Sequence, residues 1–268
     1  MSTNPITVSI IEDSISPSGA RLTTLVCTFH RFILSEVNTH RRWSRNSASS
    51  RAIPSSKLLE TVRNTPAMPV FWGKNMPGMQ AAEELAGPEK RECQDIWLET
   101  RDFNANQVQR LNDLGLHKQL CNRPLELWLP HTAIISSTEW ENFYEQRISP
   151  GAQPEFYDLA VKIKSSIENS IPKIVVPGEY HLPFVSQSEK SMLPIESQIE
   201  ISVGRCARVS YNRQGQGDIE ENISLFQKLR VSKHPSPFEH IATPFKDPSL
   251  KSGNFDGWQQ YRHQLFGK

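Results

Sequence analysis

The chain has 268 residues and a formal net charge of +1, because 30 lysines and arginines face 29 aspartates and glutamates. This balance excludes a general nucleic-acid binder, which needs a basic excess to neutralise phosphates. Apolar residues are spread along the whole chain, which excludes disorder throughout and allows a sizeable core. No apolar run has the length that a bilayer requires, and Met1–Thr7 lacks the pattern of a signal peptide, so a cytoplasmic protein is expected.

Two strands are predicted first, at Thr7–Ile11 and Arg21–His30, because β-branched residues recur in both. The sequence Ser-Pro-Ser-Gly at 16–19 predicts the turn of a hairpin between them. A short helix is predicted next, at Phe32–Arg42. Ser44–Ser55 is rich in serine and asparagine, so we expect an irregular segment whose side chains are free to contact a ligand.

The rest of the chain is predicted to be mostly helical. The longest helix is predicted at Pro88–Leu114, with Gly115 as its C-terminal stop. Its buried side is predicted to consist of Ile96, Phe103, Val108, Leu111 and Leu114. Further helices are predicted at Ser56–Asn64, His117–Arg123, Thr138–Arg147, Gln153–Asn169, Ile219–Leu229 and Phe255–Leu265. Residues 172–195 contain four prolines and are expected to form a surface excursion.

The four cysteines are widely spaced and form no zinc-binding pattern with the eight histidines. We therefore expect no metal site, and we expect Cys27, Cys93, Cys121 and Cys206 to be free thiols in a reducing compartment. A cysteine nucleophile would need an activated thiolate in an electropositive, partly exposed pocket. Cys121 and Cys206 lie near arginines in the sequence, so a cysteine-based enzyme stays open as an alternative.

Four short segments carry polar side chains suited to chemistry. The first comprises His40, Arg41, Ser44, Asn46, Ser49 and Arg51, a dense set of donors of the kind that phosphate oxygens and pyrimidine carbonyls require. The others are Asn142–Arg147 with Ala152–Glu155, then Cys206–Tyr211, then Ser236–His240. Taken singly, each has a structural explanation: a solvated basic loop, an arginine at a helix C-terminus, or a buried histidine.

Together the segments resemble the flavin-dependent thymidylate synthase family. Its Arg-His-Arg triplet, with a serine after seven intervening residues, resembles Thr39-His40-Arg41 and Ser49. Its Asn-Phe-Leu-x-Leu-Arg and Ala-Gln-x-Glu motifs are echoed at 142–147 and 152–155. Its Ala-Arg-Val-Ser and Pro-Phe-Glu-His motifs are matched at 207–210 and 237–240. These last two come first in common family members and last here, so the chain resembles a circular permutant.

The resemblance implies an α+β fold of the flavin-dependent thymidylate synthase type, with a single domain over residues 1–268 and a central antiparallel sheet flanked by helices. It implies methylation of dUMP at C5 to give dTMP, with FAD as cofactor, methylenetetrahydrofolate as carbon donor and NADPH as reductant. The expected partners are these small molecules, with neither nucleic acid nor a membrane. A homotetramer with active sites at subunit interfaces is also implied.

By the same resemblance, Arg147 is the expected catalytic residue, which polarises a carbonyl of the pyrimidine. The residues expected to bind the substrate are Ser49, Arg51, Arg123, Gln259 and Arg262. The residues expected to bind the cofactor are His40, Arg41, Asn46, Asn142, Ser210 and His240. Thr39 departs from the family's arginine. Because 255–263 resembles the helix that leads into the triplet, that helix is represented twice, and Arg262 is a candidate to replace the missing arginine.

Several alternatives stay open beside this reading. The same site could transfer a one-carbon group to C5 of another pyrimidine nucleotide. A protein that lost activity with Thr39 would bind flavin or nucleotide without turnover. A purely structural or interaction protein would bind neither ligand and would not respond to Arg147→Ala.

Overall fold

A computed structural model describes residues 4–267, so the expectation for Met1–Thr7 falls partly outside the described residues. The strands are β1 Thr7–Ile15, β2 Arg21–His30, β3 Ser44–Ser47, β4 Pro130–Ser137, β5 Lys173–Ile174, β6 Ala242–Pro244, β7 Lys251–Ser252, β8 Phe255–Asp256 and β9 Trp258–Gln260. The α-helices are α1 Leu34–Val37, α2 Ser55–Asn64, α3 Gly87–Asp113, α4 Lys118–Cys121, α5 Glu141–Arg147, α6 Pro154–Glu168, α7 Gln187–Met192, α8 Ile195–Ala207, α9 Ile219–Val231 and α10 Tyr261–Phe266. Short 3-10 helices cover Arg31–Ile33, Arg123–Trp128, Arg208–Tyr211 and Ser236–His240.

The central element is a five-stranded sheet with the order β3-β4-β2-β1-β5. β1 and β2 form the predicted hairpin, and Gly19 takes a φ of +89° in its turn, a conformation that glycine adopts at little cost. β2 and β3 both pair with β4 in antiparallel register, whereas β5 is parallel to β1. The predicted α+β class is confirmed, and the sheet is antiparallel except at the β5 edge.

The sheet is covered on both faces because side chains alternate along each strand. One face is apolar: Leu25, Cys27 and Ile135 pack against Phe156 and Leu159 of α6. On the other face, Val26 and Ile134 pack against the end of α8 and the 3-10 helix that follows it. That second face also carries polar side chains, among them Thr24 and Ser136, which form half of the candidate site described below.

A second cluster of buried residues lies apart from the sheet and joins α2 and α3 to the 3-10 helix Arg123–Trp128. The predicted buried side of α3 is wrong in part, because Ile96, Phe103 and Leu114 are 54%, 64% and 84% exposed. The helix packs in this cluster through Trp97, Ala105, Val108 and Leu111, of which Val108 and Leu111 were predicted to face the core. Although α3 has 27 residues, no helix within 4–267 is long and apolar enough to cross a membrane.

The segment between β2 and α2 differs from its prediction. The helix expected at Phe32–Arg42 ends at Val37, and Ser44–Ser47, expected to be irregular, is an edge strand. It pairs with β4 through Ser44↔Ser136 and Asn46↔Ile134. A short strand without apolar residues gives no periodic signal, so only its pairing with β4 reveals it.

The helix predicted at Phe255–Leu265 is wrong in its first half, which forms β8 and β9. Gly257 takes a φ of +73° between these strands, which ends any regular helix there. β9 pairs with β6, where Gln259 lies opposite Thr243. Neither this segment nor 32–42 is therefore a single continuous helix, although the two sequences are alike.

Residues 172–195, predicted to be a surface excursion, enter the core in part. The side chains of His181, Leu182 and Val185 are buried, and the amide of His181 donates to the carbonyl oxygen of Ala242 at 2.8 Å. The expectation of a purely superficial segment is therefore wrong. Its prolines limit regular structure, but burial of its apolar side chains in the core is still favourable.

Candidate functional site

Three of the polar segments meet the first one at residues 40–49. Three contacts define the convergence: Arg147 Nε to His40 Nε2 at 2.9 Å, Ser49 N to Ser210 O at 3.0 Å, and the Asn46 amide to His240 Nε2 at 3.0 Å. The partners lie 107, 161 and 194 positions apart in the chain. Tertiary folding, and not local sequence, therefore assembles this cluster.

Arg147, at the C-terminal end of α5, is held by three neighbours. Its Nε donates to His40 Nε2, and its Nη2 donates to Thr39 Oγ1 at 3.1 Å. Its guanidinium carbon lies 4.6 Å from the ring centroid of Phe156, a cation–π contact. Because two of its nitrogens and one face make contacts, the planar guanidinium is held in a defined orientation.

His40 is buried between aromatic rings and is neutral near pH 7. Its ring stacks on Trp43 at 5.0 Å and meets Phe143 edge-on. Burial, reinforced by the charges of Arg147 and Arg45, lowers the pKa of His40 to about 4. Its Nε2 accepts from Arg147, so the ring proton lies on Nδ1. The structure thus gives His40 the task of orienting Arg147.

A cleft of about 220 Å³ opens beside this pair. Its lining includes three of the predicted cofactor residues, His40, Arg41 and Asn142. Arg41 is exposed, whereas Arg42 is paired with Asp256. Arg147 does not line the cleft, but it contacts the histidine that does.

The implied cofactor FAD fits the chemistry of this cleft but only part of its size. The guanidinium of Arg41 suits a phosphate, and the rings of Trp43 and Phe143 offer an apolar wall. Sites for whole ligands commonly measure about 300–1,000 Å³, which is larger than this cleft. The cleft of a single chain is therefore smaller than a dinucleotide would need.

The opposite side of β3 carries Asn46 and His240. Alternation along the strand directs Asn46 to the polar face, where its amide contacts His240 Nε2 and the backbone of Ser236. His240 is fully buried, and burial lowers its pKa to about 3. Both ring nitrogens are engaged, since Nδ1 contacts Ser136 Oγ at 2.8 Å. Within this chain, His240 therefore offers no free ring nitrogen to a ligand.

The remaining predicted residues lie around this cluster. Ser49 and Ser210 are partly exposed and touch through their backbones, and exposed Arg51 has no ion-pair partner within 4–267. Arg123 pairs with Glu126, whose Oε1 also accepts from Ser50 Oγ at 2.6 Å. Arg123 is thereby held near the turn that bears Ser49 and Arg51.

Two C-terminal predictions fall elsewhere. Gln259 lines a separate cavity of about 540 Å³ together with Lys251 and His263. Arg262 forms an ion pair with Glu239, beside His240, while Thr39 contacts Arg147. Within one chain, Arg262 does not take the place expected for the missing arginine.

Sequence reasoning missed Arg45 and Ser136, and it gave His181 no role. Arg45 donates to the carbonyl oxygens of Val37 and His40, and so closes the turn that presents the histidine. Ser136 lies in β4 beside a second serine, and His181 lies in the proline-rich excursion. Arg45 and Ser136 have polar neighbours in the sequence, so no local pattern distinguishes them.

The two candidate cysteines are poorly suited to act as nucleophiles. Cys121 and Cys206 are both fully buried, and burial raises the pKa of each thiol. A protonated thiol with no access to solvent is a poor nucleophile, which disfavours the cysteine-based alternative. In the described part of the chain, no group of three His, Cys, Asp or Glu side chains is arranged to hold a metal ion.

Comparison with known proteins gives a partial and distant likeness. No protein-family model matches the sequence, and no curated protein matches it. Among solved structures, the UMP/dUMP methylase PolB from Streptomyces cacaoi bound with 5-Br UMP is similar with a TM-score of 0.49 and 14% identity, covering 61% of this chain and 89% of that one. The same methylase bound with 5-Br dUMP gives a TM-score of 0.48 and 13% identity, covering 61% and 90%. At these values the likeness carries no argument about function.

Proposed function

We propose that this protein is a flavin-dependent thymidylate synthase, which methylates dUMP at C5 with methylenetetrahydrofolate as carbon donor and NADPH as reductant. The observation that carries the proposal is the meeting of three family-like segments with the first one at residues 40–49. Segments up to 194 positions apart in the chain supply contacting side chains there. Four motifs that matched by chance would have no physical reason to meet.

Arg147 supplies the electrostatic part of the proposed reaction. Attack by C5 on an electrophilic carbon requires electron density at C5, and a cation near a pyrimidine carbonyl stabilises the charge that develops. Arg147 is already oriented by His40 and Thr39, and its Nη1 donates to no acceptor within 4–267. That edge of the guanidinium is available for a substrate oxygen. Because the group is fixed in advance, little reorganisation is needed during reaction.

FAD, when bound, would supply the hydride, while residues of this chain bind and orient it. Arg41 and Asn142 at the cleft would hold its polar groups, and Asn46 would approach the ring. The nucleotide phosphate would be met by Ser49 and Arg51, with Arg123, Gln259 and Arg262 as further candidates for substrate binding, and Ser210 would line the FAD site. The small cleft of one chain supports the proposal that a homotetramer completes the site with a second copy.

Tritium release from C5-labelled dUMP tests the proposal directly. The reaction contains methylenetetrahydrofolate and NADPH, and a parallel reaction omits FAD. We expect release that depends on FAD and falls at least about 100-fold in Arg147→Ala, the loss typical of one preorganised donor. Arg110→Ala, which removes an exposed arginine of α3, is the matched control and should keep full activity.

Two results would contradict the proposal: no release from protein that holds FAD, or equal release without FAD. Adding unlabelled UMP as a competitor separates dUMP from other pyrimidine nucleotides. Strong competition by UMP would move the assignment to a broader C5 transferase acting at the same site. FAD binding without any turnover would favour the non-catalytic alternative.

A further inference from the structure

A chain of buried hydrogen bonds crosses the polar face of the sheet. Its members, in order, are Asn46, His240, Ser136, Thr24, His181 and Ser14. The successive distances are 3.0, 2.8, 2.6, 2.7 and 2.8 Å. Every side chain except that of Asn46 is fully buried, and Asn46 is 8% exposed. Four of the residues come from the adjacent strands β1 to β4, while the two histidines come from separate C-terminal segments.

Both histidines are neutral. One ring nitrogen of each therefore carries a proton and donates a hydrogen bond, while the other nitrogen accepts one. Burial lowers the pKa of His240 to about 3 and lowers the pKa of His181 well below its ordinary value. Each hydroxyl likewise has one proton to donate. Every link in the chain therefore dictates the direction of the next link.

The surroundings of Asn46 reveal which direction the hydrogen bonds take. With its NH2 group facing His240, the amide donates to His240 Nε2 and to the carbonyl oxygen of Ser236, both at 3.0 Å. The ring proton of His240 must then lie on Nδ1, pointing to Ser136 Oγ. In the opposite orientation, the amide oxygen of Asn46 would face that carbonyl oxygen, which is repulsive.

The same order of donor and acceptor holds along the hydrogen bonds as far as Ser14. Since Ser136 accepts from His240, its own proton goes to Thr24 Oγ1, and the proton of Thr24 goes to His181 Nε2. The ring proton of His181 then lies on Nδ1 and is donated to Ser14 Oγ. His181 is thus the acceptor that lets both hydroxyls point away from His240.

We infer that His181 is a positioning residue for the candidate site: through Thr24 and Ser136 it fixes the proton of His240 on Nδ1, and this holds the Asn46 amide in one orientation. The proline-rich excursion at 172–195 would then serve to place the acceptor His181 beneath the sheet. The consequence for ligand binding rests on the proposed function, because only that proposal brings Asn46 to the flavin.

Interrupting the hydrogen-bond chain should move the ring proton of His240 from Nδ1 to Nε2. In His181→Phe, Thr24 loses its acceptor and donates to Ser136, which then donates to His240 Nδ1. In Thr24→Val, Ser136 loses its acceptor and turns to His240 in the same way. Both variants should therefore place the proton of His240 on Nε2. Thr24→Ser keeps the hydroxyl and should retain the original state.

The position of the proton is read from nitrogen-15 NMR shifts of ring-labelled histidine in the ligand-free protein, with circular dichroism to verify folding. Thr28→Val is the matched control. Thr28 lies on the same strand as Thr24, but its contact with Thr132 at 3.3 Å is not part of the hydrogen-bond chain. We expect an Nδ1-protonated His240 in the wild type, in Thr24→Ser and in Thr28→Val. We expect the Nε2-protonated form to appear in Thr24→Val and in His181→Phe. An unchanged His240 in both of these folded variants, or a wild type protonated on Nε2, overturns the inference.

FAD titration of the same proteins separates this inference from the proposed function. Thr24→Val should bind FAD about tenfold more weakly than the wild type, the effect of about one misdirected hydrogen bond, while Thr28→Val should bind normally. Unchanged affinity despite a reversed His240 would overturn the positioning role. A reversed His240 in a protein that binds no FAD even as wild type would leave the coupling intact and contradict the proposed function alone.

Discussion

The two faces of the central sheet build two different halves of the candidate site. On the apolar face, His40 and Arg147 rest on the rings of Trp43 and Phe156, next to a cleft open to solvent. On the polar face, His240 is sealed among hydroxyl and amide groups. Burial keeps both histidines neutral, but one orients a cation and the other belongs to a chain of neutral groups.

Burial alone does not set the function of a histidine. What differs is the partner that each ring accepts from: a guanidinium at His40 Nε2 and an amide at His240 Nε2. A charged partner beside a cleft suits binding or catalysis, whereas a neutral and enclosed partner suits orientation. Perturbing each face separately tests this division.

The largest effect is expected from the apolar face. Leu25 and Thr24 are neighbours on β2 that point to opposite faces, so they form a natural pair of positions to compare. Leu25→Ala should lower the free energy of unfolding by about 3 kcal/mol, because Leu25 is fully buried and leaves a cavity. Urea denaturation measures the change. A loss below about 1 kcal/mol would show that the layer is packed more loosely than its burial indicates.

Arg147→Ala should come next, with an activation penalty of about 2.7 kcal/mol, equivalent to roughly 100-fold in turnover. Arg147→Lys keeps the charge but loses the planar fork that contacts both His40 and Thr39, so it should restore only part of the rate. The measurement is the FAD-dependent release of tritium from C5 of dUMP. Full activity in Arg147→Lys would mean that the charge suffices without orientation.

The third effect concerns pH. The pKa of His40 is lowered to about 4 in the folded protein, below its ordinary value of 6.5, so the unfolded chain binds one more proton between these values. Stability should therefore fall as the pH decreases from about 6.5 to about 4, by about 1.4 kcal/mol per pH unit for this group. His40→Gln should lose that part of the slope in urea titrations at pH 7, 6 and 5. Parallel curves for the two proteins would contradict the neutral assignment.

The smallest effect is expected from the polar face. Thr24→Val keeps the volume of the side chain and removes only its hydroxyl, which leaves Ser136 to reorient and His181 Nε2 without its donor. The expected loss of stability is about 1 to 2 kcal/mol, the range for an unsatisfied buried group. Thr24→Ser should lose less than Thr24→Val if hydrogen bonding, and not packing, dominates at this position.

Much of the fold follows from patterns in the sequence. The hairpin of β1 and β2, the long helix α3 and the helix α6 all show the expected periodicity or turn residues, and the structure confirms them. β3 could not be predicted, because four polar residues form a strand only when β4 offers its edge. The helix predicted over β9 is wrong for a related reason, because pairing with β6 outweighs the local preference of these residues.

The candidate site divides in the same way. The sequence offered the residue types and the motif-like spacings, including His40, Arg147 and His240, from which a resemblance could be stated. It does not indicate that Arg45 closes the turn of His40, because the conformation of that turn depends on the fold. It does not indicate that His181 lies beneath the sheet, because no spacing along the sequence connects His181 to Thr24. Their roles depend on contacts that exist only after folding.

The sequence by itself determined which side chains were available, the mixed class of the fold and the segments most suited to chemistry. Residue type and short-range periodicity carry that information directly. Only the tertiary structure decided which nitrogen of each histidine meets a donor, that Arg147 is oriented before any ligand binds, and that the proline-rich excursion reaches the core. These are properties of distances between residues far apart in the chain, and a hydrogen bond depends on that distance and on its direction.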